Sequence, residues 1–142
     1  MPLLRTYQVF ISHAWDYGDD YYRVVDFLNA APNFEWQNLS VPQHDPLLTR
    51  RLEYELRNQV RPADVFLIIA GMYAAHSEMI DFELSFARRI GRPIIGIMKR
   101  GAERVPFAIG NAAAEIVGWN GASVVTAIQR HALPSSYTAT GT

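Results

Sequence analysis

The sequence predicts an α/β protein of the doubly wound class, a five-stranded parallel sheet with helices on both faces. Strand-like apolar runs alternate five times with helix-period stripes, the pattern that successive βαβ crossovers produce. Two of the runs, 65–70 (VFLIIA) and 93–98 (PIIGIM), are apolar almost throughout, as strands covered on both faces are. The chain has 142 residues, 49% hydrophobic and 19% charged, which suits one packed core and neither disorder nor a coiled coil.

Each element has its own local reason. Residues 7–12 (YQVFIS) form a short β-branched and aromatic run, the first strand. Tyr21, Val24, Val25 and Leu28 recur at i, i+3, i+4 and i+7, a helix stripe facing a core. Residues 34–38 (FEWQN) alternate apolar and polar, as an edge strand does. A polar loop over 39–45 ends in Asp45-Pro46, a capping acid followed by a proline that wastes no donor. Leu48, Leu52, Leu56 and Val60 then line one helix face, and Pro62 stops it.

After the buried strand at 65–70, Gly71 breaks the pattern and Ser77 is read as the cap of a third helix over 78–90, closed by Gly91. The strand at 93–98 leads through a loop to a short helix within 105–113 and a fifth strand at 114–119 (AEIVGW). Asn120 begins a last helix that Pro134 ends, and the small polar residues 134–142 are expected to be a disordered tail behind a domain spanning 1–133. Right-handed crossovers and five strands favour the flavodoxin-like order 2-1-3-4-5, whose crevice lies beyond the C-terminal ends of strands 1 and 3. His13, the loop at 38–45 and the loop at 71–77 then surround one cleft.

Composition excludes several classes. Without cysteine there is no disulfide scaffold, thiolate zinc site or cysteine nucleophile. A net charge of −1 with no basic cluster argues against nucleic acid as the partner. No apolar run is long enough to span a membrane and no signal core is present, so the expected compartment is the cytoplasm. There is no GxGxxG after a strand, no Walker A and no GxSxG elbow, and the acids of a phospho-receiver are missing at the ends of strands 1 and 3.

One carboxylate is in the wrong place. Glu83 has Met79, Ile80, Phe86 and Ala87 as helical neighbours, all apolar, whereas Asp81 shares a polar stripe with Ser85 and Arg88. A carboxylate on the buried stripe is costly unless it is paired or opens onto a cleft. The structural reading gives it an arginine such as Arg5 or Arg61; the functional reading puts it at the crevice. Ser12 and His13, after strand 1, are further candidates, whereas His44, His76 and His131 stand isolated without metal-ligand spacing, and no metal is expected. Trp15, Trp36 and Trp119 read as core or rim aromatics.

Taken together, VFISHAWDY (9–17), FEWQNLSVPQHDP (34–46), IIAGMYAAHSEMIDFELSFA (68–87), GRPIIGI (91–97) and EIVGWN (115–120) resemble the TIR-like domains of Thoeris anti-phage defence proteins. The resemblance runs from about residue 6 to about residue 133. It implies a TIR fold and an NAD-consuming enzyme that cleaves the nicotinamide–ribose bond and releases a cyclic ADP-ribose isomer. It further implies a separate effector reached by that diffusible signal, NAD as substrate with no resident cofactor, and a homo-oligomer.

The family's essential glutamate lies in a Ser-x-(Trp or other)-x-x-x-Glu pattern, which reads Ser77 to Glu83 in this sequence and falls on the acid already singled out. The implied site is catalytic Glu83, ionised, with Ser12, His13, Asn38, Asp45, Ser77 and Met79 binding substrate. Met79 stands where many TIR enzymes carry Trp, and the loop at 38–45 stands in place of the BB loop. Two other readings remain: a non-catalytic TIR module that assembles through the loop around Pro42 and the helices, and a plain NAD hydrolase.

Overall fold

The computed structural model describes residues 5–12, 19–40, 61–70, 73–99 and 105–134, with backbone only for 73–79. Five strands, β1 (Thr6–Ile11), β2 (Glu35–Asn38), β3 (Val65–Ile69), β4 (Ile94–Met98) and β5 (Glu115–Gly118), form one parallel sheet in the order β2-β1-β3-β4-β5. The helices are α1 (Asp19–Ala30), α2 (Tyr73–Arg89), α3 (Phe107–Ala112) and α4 (Gly121–His131). The predicted strand order is the observed one. The expected helix between Asp45 and Pro62 and the tail from 135 onward lie outside the described residues.

Alternation along the strands sends the sheet's side chains to two cores. Val9, Ile11, Val65, Leu67, Ile69, Ile95 and Ile97 point to the face covered by Tyr21, Val24 and Leu28 of α1 and by Val124 and Ile128 of α4. Phe10, Phe66, Ile68 and Ile94 point the other way, onto Ile80, Leu84, Phe86 and Ala87 of α2 and Ile109 of α3. All five residues of β3 are buried, which is why its sequence shows no alternation. β2 is an edge strand, with three of its four residues exposed, as its polar composition requires.

The helix ends follow their local chemistry, with one exception. Asn120 caps α4, its Oδ1 accepting from the Ser123 N–H at 3.1 Å. Past the end of α2, Gly91 has φ of 72°, its N–H donates to Arg88 O at 3.2 Å, and the Arg92 N–H donates to Ala87 O at 2.8 Å. That pair of bonds is a Schellman closure, and its left-handed residue is the glycine. The exception is the start of α2: Ser77 is not its cap, because the helix already begins at Tyr73. Ala74 and Ala75 are strong helix formers, and they carry the helix upstream past the serine.

At the N-terminal ends of the strands, Asp64 is buried and accepts from Arg5 Nη2 at 2.8 Å and from the Gln8 N–H at 2.9 Å. Arg92 donates to the carbonyls of Ala63, Ile90 and Arg61 at 2.8, 2.7 and 3.1 Å, tying the segment before β3 to the end of α2. Among the described residues no helix is long and apolar enough to cross a membrane.

Two glycines in this fold should respond with opposite sign. Gly91→Ala forces a Cβ into the left-handed region and lowers stability by about 1 kcal/mol, although nothing lies within 4 Å of the new atom. Gly110→Ala, inside α3 with only an ordinary 3.6 Å contact to Val105, raises it by about 0.5 kcal/mol. Denaturant midpoints of the two variants check this.

Candidate active site

A parallel sheet collects its chemistry at the C-terminal ends of its strands, and the described polar side chains at that end start with Ser12. It follows Ile11 on the same face of β1 as Phe10, the face α2 covers, and is 2% exposed. Its N–H donates to Leu67 O at 2.8 Å, which fixes its backbone to β3. Its hydroxyl donates to Oε1 of Glu83.

Glu83 projects from α2 onto the sheet and is 4% exposed, between Ile80, Phe86 and Ala87, all buried. The expected burial of this acid is therefore observed, but neither proposed arginine partner is. Arg5 is engaged by Asp64 at the opposite end of the sheet, and the recorded bond of Arg61 is through its backbone carbonyl, to Arg92. A serine 71 positions away takes that role, a pairing that periodicity does not reveal. Asp81, Ser85 and Arg88 are exposed, as the polar stripe predicts.

Desolvation by burial pushes the Glu83 carboxyl up to about 8, and the Ser12 hydrogen bond, which favours the carboxylate, only partly opposes this. The free protein therefore carries Glu83 mostly protonated at neutral pH. The catalytic role implied for Glu83 needs the ionised form, so the proton has to leave before the acid can act.

Asn38 ends β2 with both faces of its amide engaged. Its Nδ2 donates to the Tyr21 hydroxyl at 2.9 Å and its Oδ1 accepts from the Ser40 N–H at 2.9 Å. Ser40 and the Tyr21 hydroxyl are thus part of this strand end, although the sequence marked Tyr21 only as a core position and Ser40 only as part of the loop at 38–45. His13 and Asp45 lie outside the described residues, and Ser77 and Met79 are described in backbone only, as residues of α2.

The remaining candidates resolve elsewhere. His131 is not isolated: its Nε2 lies 2.8 Å from Glu115 Oε1, which also accepts from Arg130 Nη1 at 2.7 Å. The Arg130 and His131 bonds hold the Glu115 carboxyl below its ordinary range. Trp36 and Trp119 pack at the rim of the core, Trp119 edge-on against Phe27 at 5.3 Å. Among the described residues no group of three potential ligands could hold a metal. A groove of about 540 Å³ between α1 and α4, and one of about 430 Å³ beside β5, are lined by residues other than Ser12 and Glu83.

The family model described as Thoeris protein ThsB, TIR-like domain, matches residues 10–104, a span that includes Ser12, Asn38, Ser40 and Glu83. Among solved structures, the chain is similar to a Clostridium botulinum CMP N-glycosidase, BcmB, at 15% identity and a TM-score of 0.53, over 87% of this chain and 98% of that one. At that identity the likeness is one of fold. No curated protein matches.

The protonation of Glu83 has a consequence for stability. Its folded-state value of about 8 lies above the ordinary 4.5, so the folded form holds the extra proton between them. That contribution is complete below the lower value and is lost as pH rises through the upper one. Glu83→Gln, which does not titrate, should gain on the wild type by about 4 kcal/mol as pH rises from 5 to 9, most of the gain coming below pH 8. Urea unfolding of both proteins across that range measures it, and a pH-independent difference would contradict the assignment.

Proposed function

The chain belongs to the family of Thoeris ThsB TIR-like domains, and on that premise we propose that it cleaves the nicotinamide–ribose bond of NAD in the cytoplasm and releases a cyclic ADP-ribose isomer that activates a separate effector. The observation that carries this reading is the Glu83 carboxyl, buried in an apolar wall at the strand ends and oriented by the Ser12 hydroxyl.

In the proposed reaction the C1′–N bond breaks, its electron pair goes to the nicotinamide ring, and the ring leaves neutral. The ribose becomes an oxocarbenium-like cation, as in glycoside hydrolysis. A carboxylate about 4 Å from that cation contributes roughly 4 kcal/mol at an effective dielectric near 20. The charge is worth most where water is excluded, and the same exclusion raises the carboxyl's pKa in the free protein. A positively charged nicotinamide ring beside Glu83 favours the ionised form, so substrate itself helps to restore the charge that the step uses.

Closure then requires an adenine nitrogen or a ribose hydroxyl to reach C1′ before water does, with loss of one proton. Attack by water instead gives linear ADP-ribose, heavier than the cyclic isomer by one water. A structurally related protein bears the name CMP N-glycosidase. This supports cleavage at an N-glycosidic carbon as a chemistry compatible with the fold, and the choice of NAD rests on the family.

Two outcomes test the proposal. Cells expressing the protein and challenged with phage should accumulate nicotinamide and a cyclic product, resolved by mass spectrometry, and Glu83→Gln should abolish both while remaining folded. Equal product from the variant removes Glu83 from the mechanism, and absence of any nucleotide product under every trigger favours an assembly module. With purified active protein, kcat/KM should rise about tenfold per pH unit up to about pH 8 and level off above it, because the free enzyme must lose the Glu83 proton.

A further inference from the structure

The end of β1 is finished by a side chain. β1 pairs with β2 as far as Val9 opposite Asn38, and the Leu39 N–H still donates to Val9 O at 2.8 Å. On its other edge β1 continues further, with Ile11 opposite Leu67 and the Ser12 N–H bonded to Leu67 O. In a parallel ladder the N–H and C=O of Ile11 then face the β2 side, where a continued strand would offer one carbonyl and one N–H. A single hydroxyl takes both roles: Ser40 Oγ accepts from the Ile11 N–H at 3.0 Å and donates to Ile11 O at 3.1 Å. Ser40 is itself held, its N–H bonded to Asn38 Oδ1 and the Asn38 amide anchored on the Tyr21 hydroxyl of α1.

We propose that Ser40 is a positioning residue for the Glu83 carboxyl, its hydroxyl closing the end of β1 at Ile11 and thereby fixing the adjacent Ser12 hydroxyl that donates to Glu83. The proposal rests on the reading of Glu83 as the catalytic carboxylate. Its physical basis is the short reach of a hydrogen bond: displacement of the Ile11–Ser12 peptide by about 1 Å takes the Ser12 hydroxyl out of bonding range of a fixed carboxyl. Leu67 O restrains that peptide from one side and the Ser40 hydroxyl from the other. Around the carboxyl, α2 contributes only apolar described neighbours, β1 contributes Ser12, and among the described residues no charged group adds to its titration.

The test reads the carboxyl directly and needs no turnover. In protein carrying ¹³C-labelled glutamate side chains, the Glu83 signal is assigned by its loss in Glu83→Gln and its titration is followed by NMR. Removing a donor to a carboxylate raises the midpoint, so Ser12→Ala moves it up, and Ser40→Ala moves it up by about half a unit. Ser40→Thr, which keeps the hydroxyl, returns it to the wild-type value. On the NAD reaction, Ser40→Ala lowers kcat about tenfold with KM within about twofold, and Ser40→Thr restores the rate.

A merely structural serine lowers the melting temperature and leaves the midpoint unmoved. An unmoved Glu83 midpoint in Ser40→Ala, or a shift that Ser40→Thr does not reverse, overturns the proposal. Should Ser40→Ala fail to fold, Ser40→Cys, a far weaker donor, carries the same comparison. Full activity of Glu83→Gln is a separate failure: it removes the catalytic reading of Glu83, and the midpoint then decides alone whether Ser40 sets its environment.

Discussion

A parallel sheet sealed on both faces leaves polar side chains almost nowhere to go except the strand ends, and this constraint organises the rest of the molecule. β3 is buried along its whole length and β4 over all but its last residue. Any polar group within them would have to be desolvated without a partner, at a cost of several kcal/mol. The three buried polar side chains among the described residues, Ser12, Asp64 and Glu83, accordingly sit just beyond the end of a strand, just before the start of one, or on a helix against the sheet.

The two buried carboxylates show what each end of the sheet is for. Asp64, at the N-terminal side, receives the Arg5 guanidinium and the Gln8 N–H on one oxygen, a charged donor and a fixed backbone donor. Such a pair ties the chain before β1 to the start of β3, while the other carboxylate oxygen, Oδ1, is buried without a hydrogen-bond partner among the described residues. Glu83 receives a hydroxyl. A neutral donor does not offset the removal of a full charge from water, and the proton therefore stays on the acid to about pH 8. A buried acid met by one neutral donor and no cation is suited to meeting a charge that arrives with a ligand.

Much of this was legible in the sequence because the signals are local. The unbroken apolar runs of β3 and β4, the polar edge strand β2, Asn120 before α4 and Gly91 after α2 each reflect forces acting within a few residues, and the strand order follows from crossover handedness. The start of α2 was misread for a local reason as well. A cap such as Ser77 is worth about 1 kcal/mol, but a serine is also tolerated inside a helix, and Ala74 and Ala75 favour extension past it. Glu83 stood out because an acid on an apolar stripe breaks the helix pattern. Its partner did not, because Ser12 is 71 positions away and contact across the fold has no period. Arg5 was a reasonable partner on charge alone, yet it lies at the other end of the sheet, bound to an aspartate that directly precedes the buried run of β3.

Ser40 marks the limit of reading by pattern. In sequence it is one more small polar residue after an edge strand, indistinguishable from a turn residue. Its role depends on where two strands stop: β2 ends before β1 does, the mismatch exposes one peptide edge at Ile11, and a hydroxyl both donates and accepts in the space of one atom. A main chain that continued as β2 would satisfy the same groups; here one side-chain oxygen does so instead. The Ser40 hydroxyl thus closes the peptide edge immediately before Ser12, whose own hydroxyl donates to the buried acid.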